Sequence, residues 1–204
     1  MIVSKLEEAF RFISRFALLN LTWLGYTLIG AVILGLFPST VALFTMVHRW
    51  ISQDAESPII KPFHQTFKSY FWKANLVGWL FTGIGALLYL NYHLISSSEG
   101  AVPLPVTISF LLIIVIYTLL IVSLFPVWAY YKGGVKNAIL QSFRFVFGRV
   151  HVAISFAMIV WASLYLSLAF PAFIIFFTGS LLAYILMWFF NRTIYKLQLK
   201  ANLL

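Results

Sequence analysis

Three long apolar stretches with almost no acidic or basic residues constrain this chain most. Residues 16–48 and 150–191 contain no Asp, Glu, Lys or Arg, and residues 74–131 contain only Glu99. A helix needs about 20 apolar residues to cross the hydrocarbon core of a bilayer, so each stretch can hold two crossings. Of the 204 residues, 62% are hydrophobic and 9% are charged, whereas soluble domains carry about 25% charged residues. The sequence predicts an all-α, polytopic membrane protein with one transmembrane domain over residues 1–204.

Each apolar stretch contains a turn signal that divides it in two. The first signal is the Phe-Pro-Ser-Thr sequence at residues 37–40, where a serine after the proline can cap a new helix. The second is the polar, glycine- and proline-containing segment 96–105, and the third is the Phe-Pro pair at residues 170–171. The division predicts three helical hairpins and about six spans, of which the second is short. The predicted spans are residues 15–36, 38–50, 74–95, 106–131, 151–170 and 172–190.

Basic residues lie at or beyond the ends of these spans. If residues 38–50 return the chain to its starting side, all 14 Lys and Arg residues share one face and Glu99 is the only charge opposite. If residues 16–50 instead form one kinked span, the three N-terminal basic residues lie on the other face. The positive-inside rule favours the first arrangement. It predicts a multi-pass plasma-membrane protein with both termini cytoplasmic.

Two of the basic segments also carry phenylalanines at helical spacing. Residues 61–73 and 136–149 show matching Phe and Lys or Arg positions at an offset of 76 residues, through either an internal repeat or coincidence. Both segments predict amphipathic helices at the cytoplasmic interface. Such helices contact anionic lipid or dock into the groove of a partner. The predicted contact residues are Phe67, Lys68, Phe71, Lys73, Phe143, Arg144, Phe147 and Arg149.

The chain lacks the residue patterns of common catalytic and cofactor sites. Cysteine is absent, which excludes disulfides and thiolate chemistry. The four histidines are scattered without an i, i+4 pair, and the five acidic residues include no spaced pair on an apolar helix for general acid–base work. The basic residues form short groups instead of one continuous patch for nucleic acid. We expect no enzymatic activity, no cofactor, no metal and no nucleic-acid partner.

Uncharged polar side chains do occur inside the predicted spans. They could line a small hydrophilic cavity, but interhelical hydrogen bonds are the more ordinary role of such residues in membrane helices. Acidic or basic residues, the usual mark of a proton relay, are absent there. The polar residues are Asn20, Thr22, Tyr26, Thr27, Thr82, Thr118, Ser123, Ser155 and Thr178.

Two blocks of the sequence resemble the YesL-like family of bacterial membrane proteins of unknown function. The second block falls within residues 124–143, and the first contains Asn20, Trp23, Pro38, Ser39, Thr40, Ala42, Leu43 and Phe44. The resemblance implies a small multi-span protein of Gram-positive type bacteria, often encoded near carbohydrate ABC importers. By that association it implies an accessory or regulatory subunit that contacts the permease subunits of a sugar importer. The alternative is an autonomous small-solute transporter or channel.

Overall fold

The computed structural model describes residues 2–52, 57–97, 102–131 and 133–201, and within these ranges it contains helices and turns but no strand. Five helical segments are long and apolar enough to cross a membrane, which confirms the predicted all-α polytopic bundle. The helices are α1 (Ile2–Ile29), α2 (Leu36–Ser52), α3 (Ile60–Ser96), α4 (Leu104–Tyr131), α5 (Val135–Gly148), α6 (Val150–Ala169), the single turn α7 (Pro171–Phe173), a π-helical segment (Ile174–Thr178) and α8 (Gly179–Ala201).

The turn between α1 and α2 lies earlier in the chain than predicted. Ala31 and Val32 adopt left-handed φ angles of 54° and 63°, which are uncommon outside glycine. Gly30 and Gly35 flank them and approach so closely that a Cβ on Gly30 would overlap the backbone of Gly35. The close glycine contact and the two left-handed residues therefore reverse the chain at residues 30–35.

Pro38, Ser39 and Thr40 belong to α2, so the predicted turn and cap at these residues were wrong. Pro38 lies in the first turn of α2, where a missing backbone N–H costs nothing because it would have no partner in the helix. The Ser39 hydroxyl donates to the carbonyl of Leu36 at 3.0 Å and does not cap the helix. A proline signal marks either a helix break or a helix start, and here it marks a start.

Helices α1 and α2 form an antiparallel hairpin. The Arg15 guanidinium, near the start of the apolar part of α1, donates to the Ser57 carbonyl at 2.6 Å and lies 5.2 Å from the centre of the Trp50 ring. At the opposite end, the hydroxyls of Thr27 and Ser39 are 2.7 Å apart. The end of α2 therefore returns to the side on which α1 begins, as the basic residues predicted.

Helix α2 is enclosed by its neighbours. It packs against α1, α3, α4 and α8, and a continuous run of its residues from Val41 to Val47 is buried. Its 17 residues extend for about 25 Å, which is less than the roughly 30 Å of a bilayer core. The short second span of the prediction is therefore a central packing element of the bundle.

The two predicted interfacial helices have different outcomes. Residues 136–149 form a separate helix, α5, which ends at Gly148, and Arg149 breaks the chain with φ −144° and ψ 51°. Residues 61–73 are instead the first third of α3, which continues without interruption for 37 residues. The prediction of a separate interfacial helix was wrong for residues 61–73. No glycine or proline interrupts the backbone between Pro62 and the start of the apolar stretch.

The α1–α2 hairpin ends beside the middle of α3. The side-chain amide of Asn75 donates to the Leu34 carbonyl in the turn at 2.9 Å, and a Cβ on Gly78 would overlap the Phe37 ring. Beyond Gly78, α3 extends for about 27 Å more at 1.5 Å per residue. The α3–α4 hairpin, joined by the Tyr117 hydroxyl donating to the Phe81 carbonyl at 3.0 Å, therefore reaches well past the first hairpin.

Candidate functional site

The family-motif residues on α1 lie on one helical face. Asn20, Trp23 and Thr27 follow i, i+3, i+7 spacing, which places them together on a helix. This face packs against the start of α2 and against the π-helical segment before α8. We define the polar cluster as the hydrogen-bonded group of Asn20, Trp23, Thr27, Ser39, Thr40 and Ser180.

Asn20 makes three hydrogen bonds to backbone groups at the far end of the sequence. Its side-chain amide donates to the carbonyls of Ile174 and Ile175 at 2.9 Å and 2.6 Å. Its Oδ1 accepts the backbone N–H of Ser180 at 3.0 Å. The Asn20 side chain is fully buried, and its bond to Ser180 is buried with it. Asn20 therefore fastens α1 to the segment that joins α7 to α8.

The π-helical segment explains why a polar residue is needed here. A π turn shifts backbone bonding from i→i+4 to i→i+5 and is found mostly as a local insertion in an α-helix. Such a shift leaves backbone groups without their usual partners, and in hydrocarbon each unsatisfied group costs several kcal/mol because no water replaces the lost bond. The Asn20 amide supplies partners for two carbonyls and one N–H of this segment.

The rest of the polar cluster joins α1 to α2. The indole N–H of Trp23 donates to the Thr40 hydroxyl at 3.2 Å, and Thr27 pairs with Ser39. Gly179 permits the close approach of α8, because a Cβ there would lie 2.9 Å from the Trp23 ring and 3.0 Å from Asn20 Oδ1. The first-block motif residues on α1 and α2 therefore meet in one cluster that also contacts the start of α8.

The remaining motif residues form apolar packing at the centre of the bundle. Ala42, Leu43 and Phe44 are all buried, and the Phe44 ring stacks on that of Phe125 with 6.1 Å between centroids. Phe125 belongs to the second block that carries the family resemblance. The two blocks are therefore in contact through α2 and α4, and this part of the motif has a packing role.

Four of the nine polar side chains that sequence reasoning assigned to the spans bond only within their own helix. The hydroxyls of Thr22, Thr82, Thr118 and Ser155 each donate to a carbonyl four residues earlier. Thr178 differs, because its hydroxyl pairs with Ser167 of α6 at 2.8 Å. Among these residues, Asn20, Thr27 and Thr178 bond between elements at the polar cluster and the π segment, and Tyr26 bonds His64 of α3 at 3.0 Å.

The side chains of the polar cluster are suited to a structural role. Its side chains are amides, hydroxyls and an indole, none of which ionises near neutral pH. Asn20 uses both its amide nitrogen and its oxygen in backbone bonds. Within the described residues, no three His, Cys, Asp or Glu side chains lie together to hold a metal ion. The cluster can fix the relative positions of three helices.

In the first basic-aromatic segment, residues 61–73, the phenylalanine rings pack toward the core. Phe67 is only 9% exposed and packs on Tyr26 with 5.0 Å between ring centroids, and Phe71 is half-buried. The predicted lipid or partner contact was therefore wrong for Phe67, because its ring completes the core between α3 and α1. Lys68 and Lys73 on the other side of the helix are exposed.

In the second segment, residues 136–149, the rings of Phe143 and Phe147 are exposed. Phe143 is 39% exposed and Phe147 is 59% exposed, and the two rings stack with 6.2 Å between centroids and 13° between planes. Arg144 between them is exposed, whereas Arg149 is half-buried. The opposite face of α5 packs into the core through Phe145 and other residues. The exposed stacked pair is available for a contact outside the chain.

Sequence reasoning missed several residues that the structure brings into these sites. Asn75 is a buried amide that bonds the α1–α2 turn. In the sequence it is only one polar residue at the start of an apolar stretch, which does not indicate this contact. Ser180 contributes a backbone N–H, for which its side chain gives no signal. Arg192 and Lys196 line an open cavity together with Arg149. Their i, i+4 spacing on α8 was the one available sign of that cavity.

Comparison with known proteins places this chain among bacterial relatives of similar length. A family model described as a protein of unknown function, DUF624, matches residues 16–92. The chain is 30% identical over 186 residues to the uncharacterized protein YesV of Bacillus subtilis (strain 168), covering 90% of this chain and 88% of YesV. It is 28% identical over 174 residues to YesL of the same organism, covering 85% and 82%. No solved structure matches the chain.

Proposed function

This chain belongs to the YesL-like family, DUF624, and from that membership we propose that it is an accessory or regulatory membrane subunit of a carbohydrate importer of the ABC type. The family resemblance supports the carbohydrate association. The bundle supports a role in binding, because the buried Asn20, Thr27 and Ser39 are engaged in holding helices together. No catalysis by the chain is required.

The observation that carries this proposal is the exposed, stacked pair of Phe143 and Phe147 on α5. Aromatic and arginine side chains dominate the energetics of protein interfaces, and this pair has Arg144 between its two rings in the sequence. Helix α5 already has a buried face that contacts the core, so its exposed rings are not needed for its own docking. We assign this surface, Phe143, Arg144 and Phe147, to the permease contact.

The arrangement of charge supports a placement of the protein in the plasma membrane with both termini cytoplasmic. Arg15 lines one cavity with Lys61, after the end of α2, and Arg149 lines another with Arg192 and Lys196. These contacts bring basic residues from distant parts of the chain to shared sites. By the positive-inside rule, the basic side faces the cytoplasm.

The orientation can be tested by cysteine labelling, because the natural chain contains no cysteine. We expect Ser97→Cys in intact cells to react with a membrane-impermeant maleimide, since it follows the end of α3 remote from the basic side. Gly134→Cys should stay unreacted until the membrane is permeabilised. Gly134 has open space around its Cβ position, so shielding there reports the membrane side. Labelling of Gly134→Cys in intact cells would reverse the orientation.

The alternative function is an autonomous small-solute transporter or channel. Its support is the set of polar residues in the spans, although Thr22, Thr82, Thr118 and Ser155 donate to their own helices. Flux measurements separate the two functions. We expect purified chain in proteoliposomes to give no uptake of labelled oligosaccharide above empty vesicles, and deletion of its gene to lower sugar uptake by cells. Uptake by the proteoliposomes would establish the alternative and contradict the accessory role.

A further inference from the structure

A basic cavity opens between the start of α6 and the C-terminal half of α8. Its volume is about 460 Å³, and its lining includes Arg149, His151, Arg192 and Lys196. No acidic residue lines it within the described part of the chain. The Arg192 guanidinium lies 5.3 Å from the centre of the Trp188 ring, which holds it beside the opening. Three basic side chains around one cavity favour an anionic ligand, and a phosphate group suits arginine particularly well.

An apolar groove continues from this cavity between the same two helices. The groove has a volume of about 360 Å³, and Phe189 lines both spaces. Its walls include Ile159, Ala162 and Leu166 of α6. On α6 the lining residues change from His151 at the cavity to these apolar residues at helical spacing. The two spaces thus form one site with a charged end and an apolar end.

The distance from the cavity into the groove fits one leaflet of a bilayer. From Val152, which lines the cavity, to Ala162, which lines the groove, α6 rises about 15 Å. Half of a typical hydrocarbon core is about 15 Å. An acyl chain that starts at the headgroup level would therefore reach Ala162 at about the bilayer midplane, while a free anion would leave the groove empty.

We propose that an anionic phospholipid binds between α6 and α8, with its phosphate in the basic cavity and one acyl chain in the apolar groove. Basic pockets between membrane helices on the cytoplasmic side are a known means of holding anionic headgroups. The combination of cations at one end and an unfilled apolar groove at the other selects a lipid over a soluble anion. The site does not depend on the importer association.

The charge part of the site can be tested by native mass spectrometry of the full chain purified in mild detergent. The probe is an equimolar mixture of phosphatidylglycerol and phosphatidylcholine with the same acyl chains. We expect the natural chain to retain phosphatidylglycerol, and Arg192→Gln with Lys196→Gln to bind it about thirtyfold more weakly. The control, Arg11→Gln with Lys136→Gln, removes one Arg and one Lys from exposed positions on α1 and α5 and should retain the lipid. Equal losses in the two variants would overturn the proposal.

The acyl part is tested by filling the groove. Ala162→Phe should weaken phosphatidylglycerol binding, because the ring would occupy the space that Ala162 leaves open. Leu164→Phe, also on α6 and exposed but outside the groove, should bind as the natural chain does. Inorganic phosphate should not displace the lipid. Displacement by phosphate together with normal binding by Ala162→Phe would show a soluble-anion site and overturn the lipid assignment.

Discussion

Replacement of Asn20 by leucine is expected to lower the free energy of unfolding by about 2–4 kcal/mol, which is the largest effect we expect from a single substitution in the polar cluster. Leucine has nearly the same shape as asparagine but leaves the carbonyls of Ile174 and Ile175 and the N–H of Ser180 without their partner. The measurement is denaturant unfolding of the purified protein in mixed micelles, followed by tryptophan fluorescence.

The matched control is Thr22→Val, two positions along the same helix. Thr22 is half-buried, and its hydroxyl donates only to the Leu18 carbonyl of α1 itself. Its replacement removes one local bond and leaves no group of another helix unpaired, so we expect a change of less than about 0.5 kcal/mol. If Asn20→Leu were no more destabilising than this control, Asn20 would not be the group that satisfies the π segment.

The positions of most spans could be predicted because charge and hydropathy determine them directly. The breaks at residues 96–105 and 170–171 were placed correctly, since polar and proline-containing segments interrupt otherwise apolar sequence there. The first turn could not be placed in this way. Its residues, from Gly30 to Gly35, are all glycine or apolar, and the chain reverses there through backbone conformation and close packing.

The polar cluster could be predicted only in part. Asn20 was identifiable as a buried polar residue that needs a partner. Its partners could not be identified, because they are backbone groups created by a π-helical segment about 150 positions later. Whether a helix contains such a segment depends on how it packs against its neighbours. The sequence pattern around Pro171 carries no sign of it.

The two basic-aromatic segments show the limit of a sequence pattern most clearly. Phe67 and Phe143 occupy equivalent positions at the offset of 76 residues, yet Phe67 is buried and Phe143 is exposed. The first segment is the leading part of a long helix that packs on α2 and, through Phe67, on Tyr26 of α1, whereas the second is a separate helix at the edge of the bundle. Helical spacing places residues on one face, and only tertiary packing decides which face is buried.

The exposed rings of α5 lead to the second large expected effect. If this surface contacts the importer, Phe143→Ala with Phe147→Ala should reduce recovery of permease subunits at least about tenfold, since loss of aromatic anchors at an interface commonly costs 2 kcal/mol or more. The chain offers a matched control in Trp161 and Tyr165 of α6. These two rings also stack, 6.3 Å apart, and are 73% and 70% exposed on a helix long and apolar enough to face lipid.

Affinity purification of the tagged full chain from its native membrane, in mild detergent and with identification of the proteins that accompany it, tests the proposed function most directly. We expect the natural chain and Trp161→Ala with Tyr165→Ala to recover the permease subunits of a carbohydrate importer. We expect Phe143→Ala with Phe147→Ala, expressed at the same level, to lose them. Recovery of no importer subunit by the natural chain, or equal recovery by both variants, would contradict the assignment of α5 as the permease contact.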